Sequence, residues 1–163
     1  MSPPAVIASF AMMGLGGMWL KSSIARWSGK QIEQKSVKSI KLPDSWTVTA
    51  NKMLPGGGDV DLVLESDHGD VYAVEIKSLE DVIVKPGFLM LTQPKLIRTN
   101  GKKITDDPLK QAKKNADALA AIPVLWCPKA RKRAITSING VKVVLGPNKT
   151  LYKALGVKRL GWF

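Results

Sequence analysis

Two short apolar runs separated by a polar turn constrain this chain more than any other feature. They are Asp59-Val60-Asp61-Leu62-Val63-Leu64-Glu65 and Val71-Tyr72-Ala73-Val74-Glu75-Ile76-Lys77, with Ser66-Asp67-His68-Gly69-Asp70 between them. β-Branched and apolar residues dominate both runs and turn formers fill the gap, so the stretch reads as a hairpin of two neighbouring strands. Side chains alternate along a strand. Asp59, Asp61, Val63 and Glu65 therefore share one face of the first strand, and Val71, Ala73, Glu75 and Lys77 one face of the second. Tyr72, Val74 and Ile76 are left as a core surface.

A strand with only a folding role has little use for that charge pattern. Charged groups stay near a core where they are paired or bind a metal. Two carboxylates, Asp61 and Glu75, can hold Mg²⁺, a hard cation that takes oxygen ligands and fills its shell with water and substrate phosphate. Such an ion lowers the pKa of bound water and offsets charge on a phosphoryl oxygen. Lys77 beside it can hold a phosphate as a point charge, or orient or deprotonate the attacking water. The combination suits phosphodiester hydrolysis. The competing reading is structural, with Asp59 and Asp61 as turn and edge residues and Glu75 and Lys77 paired on a solvated sheet face.

Asp61 on one strand and Glu75-Ile76-Lys77 on the next resemble the PD-(D/E)xK nuclease superfamily. More narrowly, Gly58-Asp59-Val60-Asp61-Leu62, Val74-Glu75-Ile76-Lys77-Ser78 and Asp107-Pro108-Leu109-Lys110-Gln111 are similar, in that order, to the motifs of the nuclease-related domain family, NERD. The resemblance implies an α/β, restriction-endonuclease-like fold, a mixed central sheet flanked by helices, with the site at one sheet end. It implies a metal-dependent nuclease acting on DNA or RNA, DNA favoured, with Mg²⁺ or Mn²⁺ held by Asp61, Glu75 and the Ile76 carbonyl. Asp61 is preferred to Asp59 as ligand because it fits the family's spacing to Glu75. The resemblance also gives Glu33, on a helix expected over 28–40, a place pointing into the site. Gln111 would orient Lys77 or a phosphate through its amide. Both residues have plainer readings: Glu33 as a surface partner of Lys30 or Lys38, and Gln111 as an ordinary first-turn residue.

Charge bears on the partner. The chain has 25 Lys and Arg against 13 Asp and Glu, a net charge of +12 and a pI near 9.9. Such an excess points to a polyanion, either nucleic acid or an anionic membrane surface. Asp117 is the last acidic residue, whereas Lys129, Arg131, Lys132 and Arg133 form a concentrated basic run beyond it. Lys95, Arg98, Lys102 and Lys103 form a second group suited to phosphate contact. The same charge allows a second function, a non-catalytic nucleic-acid-binding or membrane-docked module. Cys127 is the one cysteine, which excludes an internal disulfide and a cysteine-rich zinc site.

The rest of the chain divides into a hydrophobic segment, 1–27, and a nuclease-like domain with a basic C-terminal part, 28–163. Residues 4–20 carry no charge and are just long enough for a hydrophobic helix that anchors in a membrane, the alternative being a buried or interfacial helix packed on the domain. Lys21, Arg26 and Lys30 follow, which by the positive-inside rule leaves the domain cytoplasmic, at the inner face of the membrane. Strands are expected at 46–50, 81–84, 88–92 and 123–128. Asn100-Gly101 predicts a hairpin joining 95–99 to 102–104, and Asn139-Gly140 a further one. A helix capped by Asp106 or Asp107, with Pro108 first, is expected to reach Ala121 along the stripe Leu109, Ala112, Ala116 and Leu119. A closing helix is expected over Leu151–Leu155.

Overall fold

Six strands form the central layer of the computed structural model, which describes residues 31–55, 57–87, 92–101, 104 and 107–157. The strands are β1 (Thr47–Met53), β2 (Asp59–Glu65), β3 (Val71–Ile76), β6 (Ile122–Cys127), β7 (Ala134–Ile138) and β8 (Val141–Leu145). A separate ribbon pairs β4 (Val82–Lys85) with β5 (Lys95–Arg98). The helices are α1 (31–38), α2 (Pro108–Asp117) and α3 (Asn148–Leu155). The sheet order is β1-β2-β3-β6-β8-β7. Its centre, β3-β6-β8, is parallel and its flanks are antiparallel. A mixed sheet between helices is the α/β architecture expected; the hydrophobic N-terminal segment lies outside the described residues. No helix among the described residues is long and apolar enough to cross a membrane.

Parallel strands at the centre of a sheet are covered on both faces, so their sequences run apolar almost without alternation. That is why β3 and β6 are buried along nearly their whole length. One face carries Leu62, Tyr72, Val74, Ile76, Val124, Trp126 and Val144, covered by Leu151 and Leu155 of α3. Val37 of α1 and Ile40 just after it pack on the same cluster. On the other face Leu125, Cys127, Val143 and Leu145 meet Ala112 of α2 and Val82 of the ribbon. Cys127 is core, as expected, and burial pushes its thiol up to about 12.

Several boundaries differ from the sequence expectation. β1 runs on to Met53, and its seven residues are all exposed. α2 stops at Asp117 instead of Ala121, because Ala120 takes a left-handed conformation (φ 49°) and the Ala121 N–H donates to Ala116 O at 2.9 Å. The chain thus closes a helix end that glycine normally closes. β5 pairs with β4, Val82, Val84 and Leu96 together packing on the core; Ile104 lies in no strand, and residues 102 and 103 of the expected hairpin lie outside the described residues. The strand expected at 88–92 falls mostly outside the described residues, and Thr92 is in a bend. Asp107 is the α2 cap, its Oδ1 accepting the Lys110 N–H at 3.2 Å. The Asn139-Gly140 hairpin forms as expected, both residues at positive φ.

Candidate active site

The antiparallel ladder between β2 and β3 runs from Glu65↔Val71 to Leu62↔Val74 and stops there. Continuing that register would place Asp61 opposite Glu75. Instead the two strands part like a fork, and side chains replace the missing ladder bonds. Asp61 Oδ2 accepts the Ile76 N–H at 2.7 Å. Asn115, from α2, uses Nδ2 to donate to Glu75 Oε2 at 3.1 Å and to Asp59 O at 3.2 Å. A paired ladder would leave no gap at this point; a fork leaves room between two carboxylate-bearing strands.

Glu75 is only 3% exposed, and its Oε1 lies 2.7 Å from Lys77 Nζ, whose side chain is 29% exposed. Burial pushes the Glu75 carboxyl up from its ordinary value, and the neighbouring Asp61 charge adds to this. The hydrogen bonds from Lys77 and Asn115 work the other way without cancelling it. Asp61 is likewise raised, first by burial and then by Asp59, against the Ile76 N–H and Lys77. For Lys77 burial pulls the pKa down, but the hydrogen bond and charge of Glu75, with Asp61 and Glu33, outweigh it and leave it raised. Lys77 thus senses both carboxylates, and each carboxylate senses Lys77, the signature of a cluster and not of separate surface charges.

The sequence-expected residues fall into distinct groups. Asp61, Glu75 and Lys77 meet at the fork, and the half-buried Glu33 is near enough for its charge to act on Lys77. Gln111 sits on the first turn of α2, exposed, without a side-chain hydrogen bond among the described residues. The registers Ile76↔Trp126 and Cys127↔Leu145, with Leu145↔Ala134, put the 128–133 loop at the same sheet end as Lys77. There Arg131, Lys132 and Arg133 are exposed, while Lys129 lies 3.7 Å from Glu80. On the ribbon Lys95 is exposed and Arg98 is taken by Asp81 at 2.9 Å. Lys102 and Lys103 lie outside the described residues.

Two residues were missed from the sequence. Asn115 is buried on α2 between Ala112 and Ala116, a polar residue inside an apolar stripe. That is the same anomaly that singled out Glu75, and it was there to be read. Asn51 is the other: Ala50 pairs with Leu62 and Lys52 with Val60, so Asn51 faces Asp61 across the sheet with φ 50°. Nothing in its sequence context marks that conformation.

No cluster of three or more His, Cys, Asp or Glu side chains that could hold a metal occurs among the described residues. The donor set nonetheless suits a hard divalent cation, because Mg²⁺ needs only one or two carboxylates with water and phosphate completing its shell. Two carboxylates raised chiefly by burial, with the Asp59 charge adding to Asp61 and the Asp61 charge to Glu75, are what an added cation would stabilise.

A search of curated proteins and a search of solved structures each find no match. The family model described as the nuclease-related domain matches residues 28–143, which takes in the fork, α2 and the strands on either side. That is most of the chain, and the ordered motifs lie within it. The protein belongs to the NERD, or nuclease-related domain, family.

Proposed function

We propose that the protein is a divalent-metal-dependent endonuclease of the PD-(D/E)xK type, hydrolysing phosphodiester bonds of nucleic acid with DNA favoured. The observation that carries this reading is the fork: Asp61, Glu75 and Lys77 converge where β2 and β3 stop pairing. Asp61, Glu75 and the Ile76 carbonyl would hold Mg²⁺ or Mn²⁺. When bound, the cation offsets charge on the phosphoryl oxygens and makes water more acidic.

The chain's own groups supply the rest. The raised pKa of Lys77 keeps it a cation at neutral pH, so it donates hydrogen bonds to a phosphate or an attacking water and does not take a proton. Glu33 supports that charged form. Arg131, Lys132 and Arg133 line the same sheet end and bind the phosphate backbone. The test is cleavage of single- and double-stranded DNA and of RNA with Mg²⁺, Mn²⁺ or EDTA, by the protein and by Glu75→Ala and Lys77→Ala. Both variants lose metal-dependent cleavage while remaining folded; undiminished cleavage by either removes the mechanism.

A second reading rests on one observation. Both Glu75 oxygens already have partners, Lys77 and Asn115, as in a stably paired structural carboxylate. On that reading the fold binds nucleic acid without cutting it. Salt-dependent binding in EDTA, with no cleavage under any divalent ion, would establish it.

A further inference from the structure

We infer that Asn115 is a positioning residue for the metal site, pinning the fork between β2 and β3 so that Glu75 faces Asp61. The inference rests on the nuclease reading above and adds a residue that no motif contains. Beyond Leu62↔Val74 the strands have no ladder bonds to fix their separation. Two side chains span the gap instead. Asp61 reaches from β2 to the Ile76 N–H, and Asn115 reaches from α2 to both strands at once. A single Nδ2 serves Asp59 O at 3.2 Å and Glu75 Oε2 at 3.1 Å, so the amide fixes the mouth of β2 relative to the end of β3.

The geometry of Glu75 shows why this matters for a cation. Lys77 holds Oε1 and Asn115 holds Oε2, which together set the plane of the carboxylate. Lys77 is partly open to water and has the flexible stem of a lysine; Asn115 is 7% exposed on a helix packed against the sheet. Of the two, Asn115 is the rigid reference. If Lys77 turns to a phosphate, Asn115 still holds Glu75. Partners that hold a ligating carboxylate in this way typically change metal affinity by about 10- to 100-fold when removed.

A purely structural Asn115 would give a different result, and Mn²⁺ binding tells the two apart. The probe is Mn²⁺ alone, titrated calorimetrically into the full chain, into Asn115→Ala and into Asn115→Asp, with thermal unfolding measured in EDTA. Asn115→Ala should weaken Mn²⁺ by about tenfold or more. It should also raise the Mn²⁺ concentration for half-maximal cleavage, with much of the maximal rate recovered at saturating Mn²⁺. Leu155→Ala, in the core on the far face from α2, serves as a control that lowers the melting temperature without moving Mn²⁺ affinity. Asn115→Asp keeps the size but loses the donor, and it should behave like Asn115→Ala or worse. Asn115→Ala melting lower with unchanged Mn²⁺ affinity overturns the inference and leaves the nuclease reading standing. Absence of Mn²⁺ binding by the unaltered protein overturns both.

Discussion

The two ends of the central sheet differ in a way that bears on where chemistry sits. At one end β2 and β3 fork, and buried Glu75 meets Asp61, Lys77 and Asn115. At the other, the 66–70 turn, Trp46, Tyr72 and the C-terminal end of α3 surround a cavity of about 290 Å³. That end holds a concavity lined by polar and apolar groups. It also has aromatic walls, Trp46 stacking on Tyr72 at 6.1 Å. Yet its ionisable groups are lightly engaged: Tyr72 is raised by burial and by Asp70, and His68 is 78% exposed. The fork end is the reverse, with a buried carboxylate, Glu75, engaged by Lys77, Asn115 and the charge of Asp61. Concavity alone marks shape, whereas desolvated charges held against one another have a folding cost that a function must justify.

Two lysines, one at each end, offer the sharpest way to break this comparison. Lys77 supports buried Glu75; Lys142 donates to Ala154 O at 3.0 Å and lies 5.4 Å from the Tyr72 ring centre. Lys77→Met should reduce cleavage on the order of a thousandfold, the loss typical of a group that stabilises developing charge. It should also cost about 2–3 kcal/mol in urea unfolding, because the Glu75 carboxylate is left buried without its cation. Lys142→Met should cost about 1 kcal/mol, for one hydrogen bond and a part-buried cation–π contact, and leave cleavage as it was. Equal losses of cleavage from both variants would mean the two ends are not functionally distinct.

The folded-state pKa of Asp61 is raised, chiefly by burial. A raised carboxylate contributes stability that is fully present below its unfolded value, 3.8, and is lost as pH rises through the folded value. In EDTA the protein should therefore carry a penalty at pH 7 that is absent at pH 3. Asp61→Asn keeps an oxygen to accept the Ile76 N–H and removes the charge. It should melt higher than the unaltered protein at pH 7, and that difference should close on going to pH 3. Added Mn²⁺ at pH 7 should raise the melting temperature of the unaltered protein only. An Asp61→Asn variant that melts lower at pH 7 would show that the carboxylate stabilises the fold, which the structural reading requires.

How much of this was legible beforehand follows from what is local and what is not. The Asp59–Glu65 and Val71–Ile76 hairpin was legible because apolar residues and turn formers a few positions apart define it. So was the Asp107-Pro108 helix start, where cap and φ are set by adjacent residues. The end of α2 was not, since Ala120 adopts a left-handed conformation that only the surrounding packing can impose. The pairing of β5 with β4 was missed because Lys85-Pro86-Gly87 signals a turn but not which later segment returns across it. At the site the charges were visible, while the fork was not: where a ladder ends depends on two strands and a helix together. Asn115 fell between these cases. Its burial follows from its place beside Ala112 and Ala116 on the stripe, but its two hydrogen bonds to β2 and β3 depend on how α2 packs.

His68 at the cavity end gives the smallest expected effect and the cleanest test of the contrast. It is the chain's only histidine, and a lone histidine beside a cavity invites a role as general base. The structure argues otherwise. Its side chain is 78% exposed and its Nε2 lies 3.7 Å from Asp67 Oδ1, an arrangement in which water competes for both groups. Its N–H on the main chain, not its ring, takes part in the turn by donating to Ser66 Oγ at 3.3 Å. His68→Ala keeps that main-chain bond and should change unfolding free energy by no more than about 0.5 kcal/mol. Metal-dependent cleavage should be unchanged in rate and in its pH profile between 5 and 8. A lost limb in that profile would place a catalytic proton transfer at the cavity end. The fork would then be one part of a site that spans the sheet.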